Sequence, residues 1–231
     1  MQERRKAVVI LSGGLDSSTC LGVAVDALYD VHALTFDYGQ RHRIEIEAAK
    51  KVAEHYRVKE HKIARLPFLK DIGKSALTED IYDVPTSGVQ EGEIPITYVP
   101  GRNLIFLSIA TAYAETVQAS AIYIGVNALD YSGYPDCRPE FIEAFQQVAK
   151  LGTKVGVEGL PVTVETPLLH LSKADIVRLG TRLDVPYELT TSCYQGEEEA
   201  CGECDSCRLR LEGFWQAGVK DPIAYRKQNA R

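Results

Sequence analysis

A glycine- and hydroxyl-rich turn near the start of the sequence has the composition of a phosphate-binding loop. Leu11 is followed by Ser12-Gly13-Gly14-Leu15-Asp16-Ser17-Ser18, between an apolar run and a helical pattern. Paired glycines let the backbone approach a ligand, and free amides at a helix start attract an anion. The serine hydroxyls can donate further hydrogen bonds, whereas Asp16 beside a phosphate requires a cation between them, which indicates Mg²⁺. A glycine turn with a capping Ser or Asp is the alternative.

Four of the six cysteines form a second group. They are Cys193, Cys201, Cys204 and Cys207, spaced Cx7CxxCxxC, and an amphipathic helix is predicted over 208–216. In a reducing compartment this crowding indicates a metal rather than disulfides, and four thiolates complete a closed tetrahedral site for structural Zn²⁺. An iron–sulfur cluster and persulfide or disulfide chemistry are the alternatives.

Three further groups of polar and aromatic residues follow predicted strands or precede a predicted helix. They are Asp37, Tyr38, Gln40, Arg41 and His42; Arg102 and Asn103; and Asn127, Asp130, Tyr131, Asp136 and Arg138. The first and third groups suit a planar, hydrogen-bonding ligand, and Arg102 adds a site for a carboxylate or phosphate. Each group is also compatible with an ordinary polar loop or a helix cap.

Two isolated residues have a plainer interpretation. Lys173 follows Ser172 at a predicted helix start, where it could reach a phosphate, but a solvated lysine is the favoured interpretation. Cys137 stands apart from the other cysteines and is predicted only to pack.

Apolar patterning predicts the elements that must position these groups. Strands are predicted at 7–11, 31–36, 58–63, 121–125 and 162–166, and helices at 17–28, 44–56, 103–117, 140–154 and 172–183. The alternation predicts a doubly wound, mostly parallel five-stranded α/β sheet that binds ligands beyond the carboxyl ends of its strands. Residues 64–100 break the pattern with prolines, glycines and acidic residues, and are expected to be a lid, a binding loop or disordered.

Composition favours one domain over residues 1–231, with a zinc-binding helical subregion at about 188–218. The net charge is −6 and the basic residues are scattered, so no nucleic-acid partner is expected. The apolar run 7–11 is too short for a signal-peptide core, and no segment is long enough to span a bilayer. We therefore expect a cytoplasmic protein that does not enter membranes.

The segment SGGLDSS resembles the SGGxDS signature of the PP-loop ATP pyrophosphatases, which include NAD synthetases and tRNA thiolases. The resemblance implies an adenine nucleotide alpha hydrolase-like fold. It also implies ATP cleavage between the α and β phosphates, with the loop holding pyrophosphate. The signature identifies the superfamily but not the substrate.

Five segments together resemble one branch of that superfamily, the 7-cyano-7-deazaguanine synthases of queuosine biosynthesis. They are SGGLDSS, DYGQRH, VPGRN, GVNALDYSGYPDCRPEF and the cysteine pattern, in this order and over nearly the whole chain. The resemblance implies that ATP drives the conversion of 7-carboxy-7-deazaguanine and ammonia to the nitrile through an amide. It further implies one Zn²⁺ on the four cysteines and a homodimer.

Under this interpretation Asp16 contacts Mg²⁺, and Arg102 stabilises developing negative charge by preorganised electrostatics. The residues assigned to phosphate are Ser12, Gly13, Gly14, Ser17 and Ser18, and those assigned to the ring and its carboxylate are Asp37, Gln40, Asn127, Asp130 and Arg138. The rival interpretations are a tRNA-thiolating PP-loop enzyme, against which the acidic balance weighs, and a zinc-containing regulatory module that binds nucleic acid.

Overall fold

Five parallel strands form the central sheet of the computed structural model, which describes residues 4–72, 74–79, 81–85, 93–129, 134–195 and 199–226. The strands are β1 (Lys6–Ile10), β2 (Asp30–Asp37), β3 (Glu60–Arg65), β4 (Ala121–Tyr123) and β5 (Thr163–Glu165). Their order is β3-β2-β1-β4-β5, and every neighbouring pair is parallel. The order reverses between β1 and β4, where doubly wound sheets bind ligands.

Helices cover both faces of this sheet. They are α1 (Leu15–Asp26), α2 (Ile44–His55), α3 (Phe68–Ile72), α4 (Arg102–Val117), α5 (Pro139–Gly152), α6 (Lys154–Val157), α7 (Lys173–Arg182) and α8 (Asp205–Ala217). Along β1, Val8 and Ile10 enter one hydrophobic cluster with α4 and α5, while Ala7 and Val9 enter another with α1, α2 and α7. Because successive side chains of a strand point to opposite faces, a strand buried on both faces is apolar throughout.

The described residues of the segment 64–100, which the sequence predicts to be irregular, include a helix and buried side chains. The helix is α3, and Ser75, Leu77 and Thr78 are buried. The amide of Ala76 donates to the carbonyl of Ile96 at 2.9 Å, which ties the two described ends of the segment together. Tertiary packing thus orders residues whose local pattern is broken by proline and glycine. None of the helices in the described part of the chain combines the length and apolar character that a membrane span requires.

Candidate active site

A cavity of about 230 Å³ lies at the carboxyl ends of β1, β2 and β4. Its wall includes the serine–glycine loop after β1, the residues that follow β2 and β4, and the first residues of α4 and α7. Residues 191–194, which precede the cysteine group, complete the wall. The predicted location of the site, at the edge where sheet order reverses, is therefore where this cavity lies.

The serine–glycine loop closes on itself through hydroxyl groups. The Oγ atoms of Ser12 and Ser17 lie 3.0 Å apart, and Ser17 Oγ also donates to the carbonyl of Gly14 at 3.2 Å. Gly14 immediately precedes α1, and no side chain caps this helix start. The capped-turn alternative is therefore not what forms here. The amides of the first turn of α1 can instead serve an anion in the cavity.

Two loop residues that were expected to contact phosphate face elsewhere. Gly13 has φ +83°, and a Cβ at this position would overlap the carbonyl oxygen of Glu45 and the amide of Ala49, so its glycine is needed for close packing on α2. Ser18 lies inside α1 with no exposed surface, and among the described residues its hydroxyl has no hydrogen-bond partner. Ser12, Gly14, Leu15, Asp16 and Ser17 do line the cavity, as does Leu11.

Asp16 carries the acidic group of this loop and is paired with a lysine from α7. Lys173 Nζ donates to both carboxylate oxygens of Asp16, at 2.8 and 2.9 Å. The lysine side chain is only 10% exposed and lines the cavity, so the favoured interpretation of Lys173 as a solvated residue is wrong. A cation already stands beside Asp16, and the carboxylate alone therefore does not single out Mg²⁺.

Close packing of α8 on α7 holds this lysine in place. A Cβ at Gly213 of α8 would overlap the Lys173 side chain. Sequence reasoning could have found Lys173 as a site residue, because it stands at the start of the helix that follows β5. That helix start lies at the same edge of the sheet as the serine–glycine loop.

Aromatic rings form another part of the wall. Phe36 and Phe106 stack with their centroids 3.9 Å apart, and the Tyr38 ring lies 5.7 Å from Phe106. Arg102 Nη1 donates to the Tyr38 hydroxyl at 3.4 Å. Burial raises the pKa of Tyr38 to about 12, so this hydroxyl is neutral near pH 7. Flat apolar rings beside a guanidinium suit a planar heterocycle that carries an anionic group.

Asp136 supports the start of α4 rather than the cavity. Its carboxylate accepts from the amide of Asn103 at 2.9 Å, and its carbonyl accepts from the Asn103 side chain at 3.1 Å. The helix begins after Gly101, whose φ is +64°, so Asn103 lies inside α4 and is not the cap that the alternative interpretation expected. Arg102 and Asn103 line the cavity, whereas Asp136 lies outside its wall and its oxygens accept from Asn103 at the helix start.

Asn127 lines the cavity and also joins two loops. Its side-chain amide donates to the carbonyls of Leu168 and Leu171, at 3.0 and 2.6 Å. Arg138 is exposed and lies outside the cavity wall, since it precedes the amino end of α5. The predicted contact of Arg138 with substrate is therefore not supported by this geometry. Asp130 and Tyr131 lie outside the described residues.

Some of the residues after β2 line the cavity, and others make contacts that hold their own loop in shape. Tyr38 and His42 line the cavity. Gln40 is buried, accepts from the amide of Tyr38 at 2.9 Å and donates to the carbonyl of Phe36 at 3.1 Å. Asp37 instead pairs with exposed Arg43 at 2.9 Å. Asp37 and Gln40 therefore lie outside the wall, in contrast to the expectation for both.

Arg41, from the same group, is also used in folding. Its guanidinium donates to the carbonyl of Tyr82 at 3.1 Å, which fastens the segment after α3 to the loop after β2. This arginine lies outside the cavity wall, so its predicted contact with substrate is not supported. Carbonyl groups of an irregular segment need donors, and a long guanidinium side chain can reach them.

Several wall residues were not predicted as site residues. They include Glu45, Cys137, Thr191, Ser192, Tyr194 and Arg210. Residues 191–194 follow no strand, so the strand-end rule could not find them. Cys137 had been expected only to pack; burial raises the pKa of its thiol to about 12, so it is a neutral group of the wall near pH 7.

The four predicted metal ligands form one buried cluster. The sulfurs of Cys193, Cys201, Cys204 and Cys207 all lie within 4.8 Å of one another, and the Cys201 and Cys207 sulfurs are 3.9 Å apart. A tetrahedral ion with metal–sulfur bonds of about 2.3 Å separates its ligands by about 3.8 Å. The spacing therefore fits a single ion, whereas the ligands of a multi-iron cluster bind different irons and lie farther apart.

Local donors favour thiolate in this cluster. The amide of Cys204 donates to the Cys201 sulfur at 3.3 Å, and the amide of Cys201 donates to the Cys193 sulfur at 3.4 Å. Hydrogen bonds from Cys204 and Cys207 lower the pKa of Cys193 far below its usual range, while the bond with Cys193 raises the pKa of Cys204 to about 12. Cys193 also lines the cavity.

The sheet order and the loop after β1 define a PP-loop α/β protein. The structure of a 4-thiouridine synthetase in complex with RNA and bound ATP has the same fold, with a TM-score of 0.53 and 17% identity, over 93% of this chain and 50% of that one. A family model described as queuosine biosynthesis protein QueC matches residues 6–218, and the chain belongs to this family.

Relatives named 7-cyano-7-deazaguanine synthase match nearly the whole chain. One from Oceanobacillus iheyensis is 61% identical over 96% of this chain and 98% of its own length. Another, from Acetivibrio thermocellus, is 59% identical over the same shares of the two chains. The resemblance stated from the motifs is confirmed.

Proposed function

We propose that the chain is an ATP-dependent carbon–nitrogen ligase that converts 7-carboxy-7-deazaguanine and ammonia to 7-cyano-7-deazaguanine. The observation that carries the proposal is one cavity that joins a phosphate-type loop to a stacked aromatic wall and a guanidinium. The names of the relatives supply the particular reaction.

The reaction needs ATP because a carboxylate oxygen is a poor leaving group. Transfer of a phosphoryl or adenylyl group to that oxygen gives an activated acyl group, and attack by ammonia then gives the amide. A second activation, now at the amide oxygen, allows that oxygen to leave and the nitrile to form. PP-loop relatives suggest that each activation releases AMP and pyrophosphate.

In this proposal one part of the cavity wall binds the phosphates of ATP and another part binds the deazapurine ring. Amides and hydroxyls of Ser12, Gly14 and Ser17 hold the phosphates, and Lys173 adds a positive charge beside them. The aromatic wall takes the deazapurine, and Arg102 opposes negative charge that develops on the activated carboxyl. Mg²⁺ would travel with the ATP phosphates, where Asp16 is the candidate carboxylate ligand.

We propose zinc as the ion of the four-cysteine cluster, with a structural role. Four sulfur ligands leave no open coordination position, so the ion would not itself contact substrate. Its role would be to hold the loop that contains Cys193, and thereby the neighbouring part of the cavity wall. We further propose that the protein is cytoplasmic and, as the family resemblance implies, that it forms a homodimer.

The two rival functions are not favoured. A tRNA-thiolating enzyme of this superfamily shares the fold. The family match and the net charge of −6 weigh against a tRNA-thiolating activity for this chain. A regulatory module that binds nucleic acid would not need the charge pair and aromatic rings that line the cavity.

Mass spectrometry of a defined reaction tests the proposed function. The purified protein is incubated with ATP, Mg²⁺, ammonium and 7-carboxy-7-deazaguanine, and a matched mixture lacks ammonium. We expect the nitrile only in the complete mixture, and the nucleotide products identify how ATP is cleaved. If protein that binds ATP forms no nitrile, the substrate assignment fails while the PP-loop fold stands.

A further inference from the structure

The ring of the proposed substrate carries hydrogen-bond donors that no residue described so far accepts. Its guanine-type edge has an N1–H group and a 2-amino group side by side, and its carboxyl group lies at the opposite end of the bicycle. Donors that are buried without an acceptor weaken binding, so the cavity needs an acceptor for this edge. A carboxylate suits it best, because the ionised group only accepts and can take two parallel hydrogen bonds.

Two carboxylates line the described part of the cavity wall, those of Asp16 and Glu45. Both oxygens of Asp16 accept from Lys173. Glu45 differs, because its Oε1 accepts from the uncharged side-chain amide of Gln40 at 2.8 Å, and no lysine or arginine of the described residues pairs with it. Its Oε2 lies 3.1 Å from His42 Nε2, but the two atoms are not aligned for a hydrogen bond. Glu45 therefore keeps acceptor capacity for a ligand.

The accessible part of Glu45 lies on the cavity side of α2. The side chain is 16% exposed and belongs to the cavity wall, whereas its neighbours Ile44, Ile46 and Glu47 line a separate depression on the surface. A carboxylate that is mostly buried without a cation costs free energy. Hydrogen bonds from ligand N–H groups would offset that cost.

Gln40 fixes the Glu45 carboxylate beside the aromatic wall. The Gln40 side chain donates to the carbonyl of Phe36 at 3.1 Å and accepts from the amide of Tyr38 at 2.9 Å. The carboxylate is thus one side chain away from the backbone of both wall residues. Burial raises the pKa of Tyr38 to about 12; the charge of Arg102 opposes this rise, and the charge of Glu45 adds to it. Both charges therefore act on the same ring.

Arg102 and Glu45 are connected to opposite ends of Tyr38. Arg102 Nη1 donates to the Tyr38 hydroxyl at 3.4 Å, while Gln40 links Glu45 to the Tyr38 amide. A planar bicycle stacked along this wall meets a positive group at one end and a negative group at the other. The proposed substrate has the complementary pattern, with a carboxylate at one end and N–H donors at the other.

We propose that Glu45 determines specificity for a guanine-type ring, with its carboxylate accepting hydrogen bonds from the N1–H and 2-amino groups. Gln40 is a positioning residue that holds this carboxylate. The same contacts orient the ring so that its carboxyl group lies toward Arg102. This inference rests on the proposed function, and it adds the group that recognises the ring of the substrate.

A substrate analogue without the 2-amino group tests this contact. Nitrile formation is measured from 7-carboxy-7-deazaguanine and from its 2-desamino analogue, and the ratio of the two kcat/KM values is compared between variants. Wild-type protein should favour the 2-amino compound by about 100-fold or more, because the analogue leaves the carboxylate without a donor. In Glu45→Gln, whose amide presents an NH2 group beside a single oxygen, this ratio should fall below about 10-fold, while the KM for ATP stays unchanged.

Two further variants complete the experiment. Glu47 stands on the same helix with a side chain that is 62% exposed, and it lies outside the cavity wall. Glu47→Gln is therefore the matched control and should keep the wild-type ratio. Glu45→Asp retains the charge but withdraws both oxygens by one methylene group, so it should also lower the ratio. This variant carries the test if Glu45→Gln does not fold.

Equal losses with both substrates in folded Glu45 variants would overturn the inference, since the residue would then support the shape of the site rather than contact the 2-amino edge. A higher KM for ATP with an unchanged ratio would also overturn it, because Glu45 would then contact the adenine base. Equal conversion of the two substrates by wild-type protein is a third contrary result. Wild-type protein that forms no nitrile from 7-carboxy-7-deazaguanine would instead reject the proposed function, so the two failures are distinguishable.

Discussion

Asp16 and Lys173 form a charge pair in the cavity wall. The lysine is held by α8, and the carboxylate stands in the first turn of α1 beside free amides. A fixed pair of this kind places one positive and one negative group where phosphate and its metal ion would meet. Such preorganised charges need no rearrangement as the reaction proceeds.

We predict that Asp16→Asn lowers turnover by about 100-fold or more, because a neutral amide neither holds Lys173 nor contacts a cation in the same way. Arg102→Ala should have a loss of similar size. Steady-state assays with ATP and 7-carboxy-7-deazaguanine measure the effect, and thermal melting should show that both variants remain folded. Asp26, exposed at the end of the same helix, supplies the control Asp26→Asn. Near-normal turnover in Asp16→Asn would remove its proposed role.

Short motifs could be predicted residue by residue, but distant pairs could not. The serine–glycine loop and the cysteines carry their geometry in local spacing. The hydrogen bond between Lys173 and Asp16 joins residues 157 positions apart, and no local sequence pattern predicts it. Polar residues at strand ends were also ambiguous, because Gln40 and Asp136 satisfy backbone groups while their neighbours Tyr38 and Cys137 face the cavity.

At the scale of elements, Arg210 joins α8 to the segment that leads to the cysteine cluster. Its guanidinium donates to both carboxylate oxygens of Asp221, at 2.8 and 2.9 Å, and to Thr190 Oγ1 at 2.7 Å. It also donates to the carbonyl of Tyr187 at 3.2 Å. The Arg210 side chain is 2% exposed and that of Asp221 is 5% exposed, so this is a buried ion pair that also orders a loop.

We predict that Arg210→Met lowers the free energy of unfolding by about 3–5 kcal/mol, because Asp221 is left buried without its partner. Urea unfolding measures the change. The control is Lys154→Met, which removes an ion pair whose side chains are 79% and 56% exposed. That variant should cost less than about 1 kcal/mol. Equal losses in the two variants would contradict the importance of burial for this pair.

Helices and strands with regular apolar periods were predicted close to their observed bounds. The strand predicted at 31–36 is Asp30–Asp37, and the helix predicted at 44–56 is Ile44–His55. The last helix begins at Asp205, ahead of the amphipathic pattern at 208–216, with Cys204 at the N-cap position and Cys207 in the first turn. Helix α3 was missed, since its five residues are too few to show a period.

Over the whole molecule, the cysteine cluster and the cavity share one segment. Cys193 belongs to both, and Ser192 and Tyr194 on either side of it line the cavity. The amide of Thr191 donates to the carbonyl of Gly13 at 3.0 Å, which links this segment to the phosphate-type loop. A metal ion bound by the cysteines would therefore influence the site through the position of residues 191–194.

We predict one zinc per chain in elemental analysis of the purified protein, and loss of this zinc in Cys204→Ser. The melting temperature of the variant should fall by roughly 10 °C or more, because three remaining ligands hold the metal less tightly and residues 191–194 lose their anchor. Cys20→Ala is the matched control, since Cys20 is buried outside the cluster and its replacement should leave the zinc in place. Full zinc occupancy in Cys204→Ser would contradict the ligand assignment. A brown protein that contains iron would show that the cysteines bind an iron–sulfur cluster and not zinc.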